Sequence, residues 1–124
     1  MPANKGHVLV LPKKHVQLLT QMPEDDAKEL FAVARKLMPV IINTTKAQGV
    51  DIYLAQGIEQ RIPHLALNLI PRHEKDNENI SFGWKKEKAD EKELEQTREK
   101  MASAVKKILS AEQERDEKLQ EIKI

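Results

Sequence analysis

Apolar and polar positions along the chain follow two different rhythms. His7-Val8-Leu9-Val10-Leu11 is a short aliphatic run between Gly6 and Pro12, and its length, branching and flanks predict a buried strand rather than a helix. Lys13, Lys14 and His15 open a polar connection that reaches Met22. Pro23 followed by Glu24, Asp25 and Asp26 reads as a helix start, because proline suits the first turn and the carboxylates offset the positive end of the helix dipole. Ala27, Leu30, Phe31, Ala34, Leu37, Met38 and Ile41 recur at helical spacing and predict one stripe facing a core. Pro39 predicts a kink or the end of a first segment, and Gly49 a C-terminal cap.

Beyond Gly49 the period shortens. Residues 51–56 and 65–70 read as two strands, paired antiparallel and joined by the loop 57–63, with Pro71 ending the second. Alternation sends Leu65, Leu67 and Leu69 to one face, and His64, Ala66, Asn68 and Ile70 to the other. Residues 80–84 fit either an edge strand or a loop packed by Phe82 and Trp84. From Ala89 the chain is rich in Glu, Lys, Gln and Ala, and Asp90 predicts the cap of a long helix carrying Leu94, Met101, Val105, Ile108 and Leu109. Its like-charged pairs four apart, Lys88 with Lys92 and Glu95 with Glu99, favour a helix held by packing. Past Ala111 the stripe thins into an expected solvated, fraying tail over 112–123, where Leu119, Ile122 and Ile124 are too sparse to define a coiled coil.

Composition narrows the possibilities. The 124 residues suffice for one domain with a modest core, here expected over 1–84 with a helical extension over 85–124. An aromatic share of 3% leaves that core to Leu, Ile, Val, Ala and Met. The 21 basic and 20 acidic residues nearly cancel, so no global field steers the chain toward nucleic acid or an anionic membrane, and any anion site must be local. No cysteine is present, which excludes disulfides and thiolate chemistry and fits a reducing compartment. The beginning of the chain lacks the layout of a signal peptide and no apolar run reaches spanning length, so a cytoplasmic location is expected.

Two segments together carry a resemblance. Gly6-His7-Val8-Leu9-Val10-Leu11-Pro12-Lys13-Lys14-His15 and Gln60-Arg61-Ile62-Pro63-His64-Leu65-Ala66-Leu67-Asn68-Leu69-Ile70-Pro71-Arg72 resemble, in order and separation, the two signature stretches of the histidine triad (HIT) family. The resemblance covers residues 2–72 and implies an α+β fold: an antiparallel sheet with one long helix packed on it, here joined by an additional long C-terminal helix. It also implies a homodimer binding a purine nucleotide or nucleotide derivative. In the family the middle histidine of the triad attacks the α-phosphate, which requires a free lone pair and neighbours that orient it and offset phosphate charge.

In this chain His64 matches the first triad histidine, Ala66 the nucleophile, Asn68 the third histidine and His7 the fourth, more distant one. Ala66 offers no lone pair, acid or base, whereas the Asn68 amide can still donate a hydrogen bond. The resemblance implies a degenerate, archaeal-type member: a nucleotide-binding pseudoenzyme whose phosphate site comprises His64, Asn68, His7, Arg72 and Gln60. The shortened loop at Gly57 and the alanine at Ala55, where the family often has a nucleotide-contacting asparagine, weaken that site. Met1 falls inside the family's fold, past the strands that supply half of the base and ribose pocket. Two alternatives stand beside this reading. One is a slow phosphoramidate or dinucleoside polyphosphate hydrolase using His64 or His7 as general base; the other is an interaction protein working through the C-terminal helix.

Outside the family context, His64 reads as a strand-end histidine bonded to backbone, Asn68 and His7 as solvated sheet positions, and Arg72 as a surface salt-bridge former. Lys13 and Lys14 read as a solvated turn, and His15 and His73 as loop residues in water. No histidine pair has tight ligand spacing, so no metal is expected, and no cofactor is implied.

Overall fold

The computed structural model describes residues 2–58, 60, 62–76 and 87–122, with side chains described up to 117. The expected strand or loop at 80–84 lies outside the described residues. The chain divides into two units, Met1–Phe82 and Gly83–Ile124.

The first unit is α+β. Strands β1 (Val8–Val10), β2 (Gly49–Tyr53) and β3 (Leu67–Arg72) form an antiparallel sheet in the order β1-β3-β2, and helix α1 (Glu24–Thr45) packs against it. The register sets Leu9 opposite Asn68 on one side of β3 and Tyr53 opposite Asn68 on the other. Met22, Leu30, Ala34, Ile41, Leu65, Leu67 and Leu69 form the core, with Val8, Val10, Leu37 and Met38 packed at its margin. The helical stripe is therefore observed except at Phe31, which is 43% exposed at the stripe's edge.

Several boundaries differ from expectation. Helix α1 ends at Thr45, and Lys46, in the left-handed conformation at φ 59°, takes the cap expected of Gly49, which instead begins β2. Pro39 lies within α1 without ending it. Pro39 and Arg35, whose carbonyl the missing N–H leaves unbonded, are both exposed, so water can satisfy that carbonyl.

Pro71 sits inside β3 opposite Val50 rather than terminating it. The carbonyl of the neighbouring Arg72 accepts from Gln48 N–H at 2.9 Å on the β2 side, whereas the Pro71 carbonyl accepts from Asn4 Nδ2 at 2.9 Å. Backbone polar groups alternate in direction along a strand, so the donor proline lacks would have pointed away from β2 and no ladder bond is lost.

The second unit contains α2 (Glu91–Ile122), a single helix. Asp90 caps it as expected: its Oδ1 accepts from Lys92 N–H at 3.0 Å and its carbonyl from Leu94 N–H at 3.0 Å. Among the described residues no helix is long and apolar enough to cross a membrane.

Leu67 is fully buried on the central strand under α1. Leu67→Ala is expected to destabilise the chain by about 2–5 kcal/mol, the usual range for an aliphatic truncation that leaves a cavity. Urea unfolding followed by far-UV circular dichroism measures it.

Candidate functional site

Leu65, Leu67 and Leu69 are each completely buried, which fixes the direction of every residue between them. Alternation turns Ala66 and Asn68 to the opposite face, where both are half-buried. His64 precedes β3 in a bend, and its neighbour Leu65 donates its N–H to the Val16 carbonyl at 2.6 Å, tying the segment after Pro12 to the approach to β3.

Two pairs of polar side chains flank Ala66. In the first, Nε2 of His7 lies 2.8 Å from Oδ1 of Asn68, while Ala3 N–H donates to Nδ1 of His7 at 3.0 Å. An imidazole accepting at Nδ1 carries its single proton on Nε2, so His7 donates to the Asn68 oxygen. The Asn68 amide nitrogen donates to the carbonyls of Tyr53 at 3.3 Å and Ala66 at 3.5 Å, consistent with that orientation.

In the second pair, His64 and His15 meet at 3.3 Å between their Nδ1 atoms, with ring centroids 5.3 Å apart. Nε2 of His64 lies 3.2 Å from the Pro12 carbonyl, which can only accept. The network therefore places the His64 proton on Nε2 and has His15 Nδ1–H donate to His64 Nδ1. His15 is an exposed loop residue, as expected, and its partner lies 49 positions along the chain, beyond the reach of any local pattern.

Gln60 braces this second pair. Its Nε2 donates to the Gln17 carbonyl at 2.8 Å and the His64 carbonyl at 3.3 Å, leaving Oε1 buried without a hydrogen-bond partner. Lys13 and Lys14 are exposed. Among the described residues no group of three or more His, Cys, Asp or Glu is arranged to hold a metal.

Arg72 is not brought to this cluster. Six residues of extended chain separate it from Ala66, roughly 20 Å, and its guanidinium is engaged by carboxylates. Nη1 pairs with Asp51, Nη2 donates to Asp76 Oδ1 at 3.0 Å, and Nε donates to both Asp76 oxygens at 3.2 and 3.1 Å. Asp76, a buried acid that local reading does not single out, also accepts from His73 N–H at 2.8 Å and Asn4 Nδ2 at 2.9 Å. The Arg72 guanidinium, then the His73 N–H, hold its carboxyl down at about 2.

A HIT domain family model matches residues 1–75, more than half of the chain. The chain belongs to the HIT domain family. This HIT-domain chain is 34% identical over 87 residues to the uncharacterized HIT-like protein MJ0866 of Methanocaldococcus jannaschii, a match covering 66% of this chain and 64% of that protein. It is 27% identical over 113 residues to the adenosine 5'-monophosphoramidase HNT1 of Candida albicans, covering 86% of this chain and 74% of that one. Among solved structures it resembles SMU.412c of Streptococcus mutans, with a TM-score of 0.74 and 30% identity, over 83% of this chain and 66% of that chain. It thus spans less than two thirds of the M. jannaschii relative.

The Asp76 cluster has a pH signature. A carboxylate held below its ordinary value of 3.8 stabilises the fold fully above that value, and the contribution is lost as pH falls through about 2. Asp76→Asn is expected to lower stability at neutral pH and to flatten the loss between pH 4 and pH 2, as followed by thermal melts across that range.

Proposed function

We propose that this HIT-domain chain binds a purine nucleotide or nucleotide derivative on the Ala66 face and performs no phosphohistidine chemistry. The observation that carries this reading is Ala66 itself, which stands just before β3 on the face opposite Leu65 and Leu67, between His64 of the His15–His64 pair and Asn68 of the His7–Asn68 pair. A methyl group cannot form the phosphorus–nitrogen bond that nucleophilic catalysis requires. Polar groups around it can still receive a phosphate or ribose, and the adenosine monophosphoramidase activity named for the C. albicans relative supports a nucleotide as the ligand.

Base catalysis by His64 or His7 has less support. Each ring has both nitrogens in hydrogen bonds, so taking a proton from water would first break one of them. Arg72, paired with two carboxylates, fits a structural role better than phosphate contact. The absence of cysteine supports a cytoplasmic setting.

The expected result is AMP binding at micromolar or weaker affinity by calorimetry, with no hydrolysis of adenosine phosphoramidate and no phosphoenzyme. Turnover that His64→Ala abolishes would refute the loss of catalysis.

Helix α2 favours a second reading that is compatible with the first, a homodimer formed through this helix. Leu94, Met101 and Ile108 recur every seven residues with Val105 beside them, a strip that a lone helix cannot bury on itself. Sedimentation of the full chain and of a chain ending at Ala111 checks this: a dimer is expected for both, because the strip lies before residue 112. Replacing Met101 and Ile108 with Glu should give a monomer, and an unchanged dimer would exclude this helix as the interface.

A further inference from the structure

The polar cluster at the far end of β3 connects to His7 through Asn4. Asn4 Nδ2 donates to the Pro71 carbonyl and to Asp76 Oδ2, each at 2.9 Å, and Asp76 is itself held by Arg72 and His73. The Asn4 carbonyl in turn accepts the His7 N–H at 3.1 Å, closing a tight turn over residues 4–7. Gly6 makes the turn possible, since its φ is +92° and a Cβ there would stand 2.5 Å from Cγ2 of Thr45 at the end of α1. The turn brings Ala3 N–H to Nδ1 of His7, and that bond determines which ring nitrogen carries the proton.

We propose that Asn4 and Asp76 are positioning residues for His7: they clamp the turn so that His7 presents Nε2–H to Asn68 and fixes the direction of the Asn68 amide beside Ala66. Two residues with no place on the candidate site thereby set the tautomer of one that has. Arg72, paired with Asp76, contributes through the same clamp. The consequence for nucleotide affinity rests on the binding role proposed above; the consequence for the His7 ring does not.

Long-range 1H–15N correlation spectra of the nucleotide-free full chain read the ring nitrogens directly. In the wild type His7 is expected as a single tautomer protonated at Nε2. Asn4→Ala should move both His7 nitrogens toward the average of two tautomers, leave those of His15 and His64 unchanged, and weaken AMP binding about tenfold, the scale of one lost hydrogen bond. Ala3→Pro, which removes the donor to Nδ1 and leaves the Asn4–Asp76 bond in place, should alter the His7 nitrogens in the same way. Lowered melting temperatures with wild-type His7 nitrogens in both variants would show a purely structural clamp and overturn the proposal. A wild type that fails to bind AMP would sink the nucleotide reading, while the ring nitrogens would still decide this one.

Discussion

Burial of Leu65, Leu67 and Leu69 against α1 is the constraint from which the site follows. Three leucines at alternate positions cannot all enter the core unless the residues between them face the other way, and a slip of one position would expose all three. The same packing that supplies hydrophobic stability therefore presents Ala66 and Asn68 as a pair. The geometry around Ala66 is thus secured by buried leucines on the opposite face.

What this chain places there is a methyl group, and the neighbouring polar groups are already engaged with one another. His7 and Asn68 share a hydrogen bond, and His64 rests between His15 and the Pro12 carbonyl. Such closed networks stabilise a defined orientation and cost energy to open. That arrangement fixes the orientation of His7, His64 and Asn68 around Ala66. It also accounts for Gln60, whose amide joins the loop carrying Gln17 to the backbone of His64.

The opposite end of β3 is organised by charge rather than by leucine. Arg72 draws Asp51 from β2 and Asp76 from the following turn into one cluster, and Asn4 extends it to the N-terminal turn. A guanidinium matched by two carboxylates, one of which also accepts from the His73 N–H and Asn4 Nδ2, meets the demands of partly buried charge. This cluster pairs the Arg72 guanidinium with both carboxylates.

Much of the fold was legible in the sequence because it depends on local periodicity. The stripe Leu30, Ala34 and Ile41 announces α1, alternate leucines announce the facing of β3, and Asp90 marks the start of α2. The two signature stretches likewise point to the family. Element ends were less legible, since Lys46 rather than Gly49 closes α1 and Pro71 continues β3, outcomes set by neighbouring strands and not by the residue itself. The partners of the polar residues were not legible at all. His15 with His64 and Asn4 with Asp76 lie 49 and 72 positions apart, and which donor meets which acceptor at such separations is decided only once the sheet has closed. Sequence by itself determined which leucines share a face and that a methyl group stands between His64 and Asn68; tertiary structure alone decided which polar groups are spent on each other, because hydrogen bonds are directional and short while hydrophobic burial is neither.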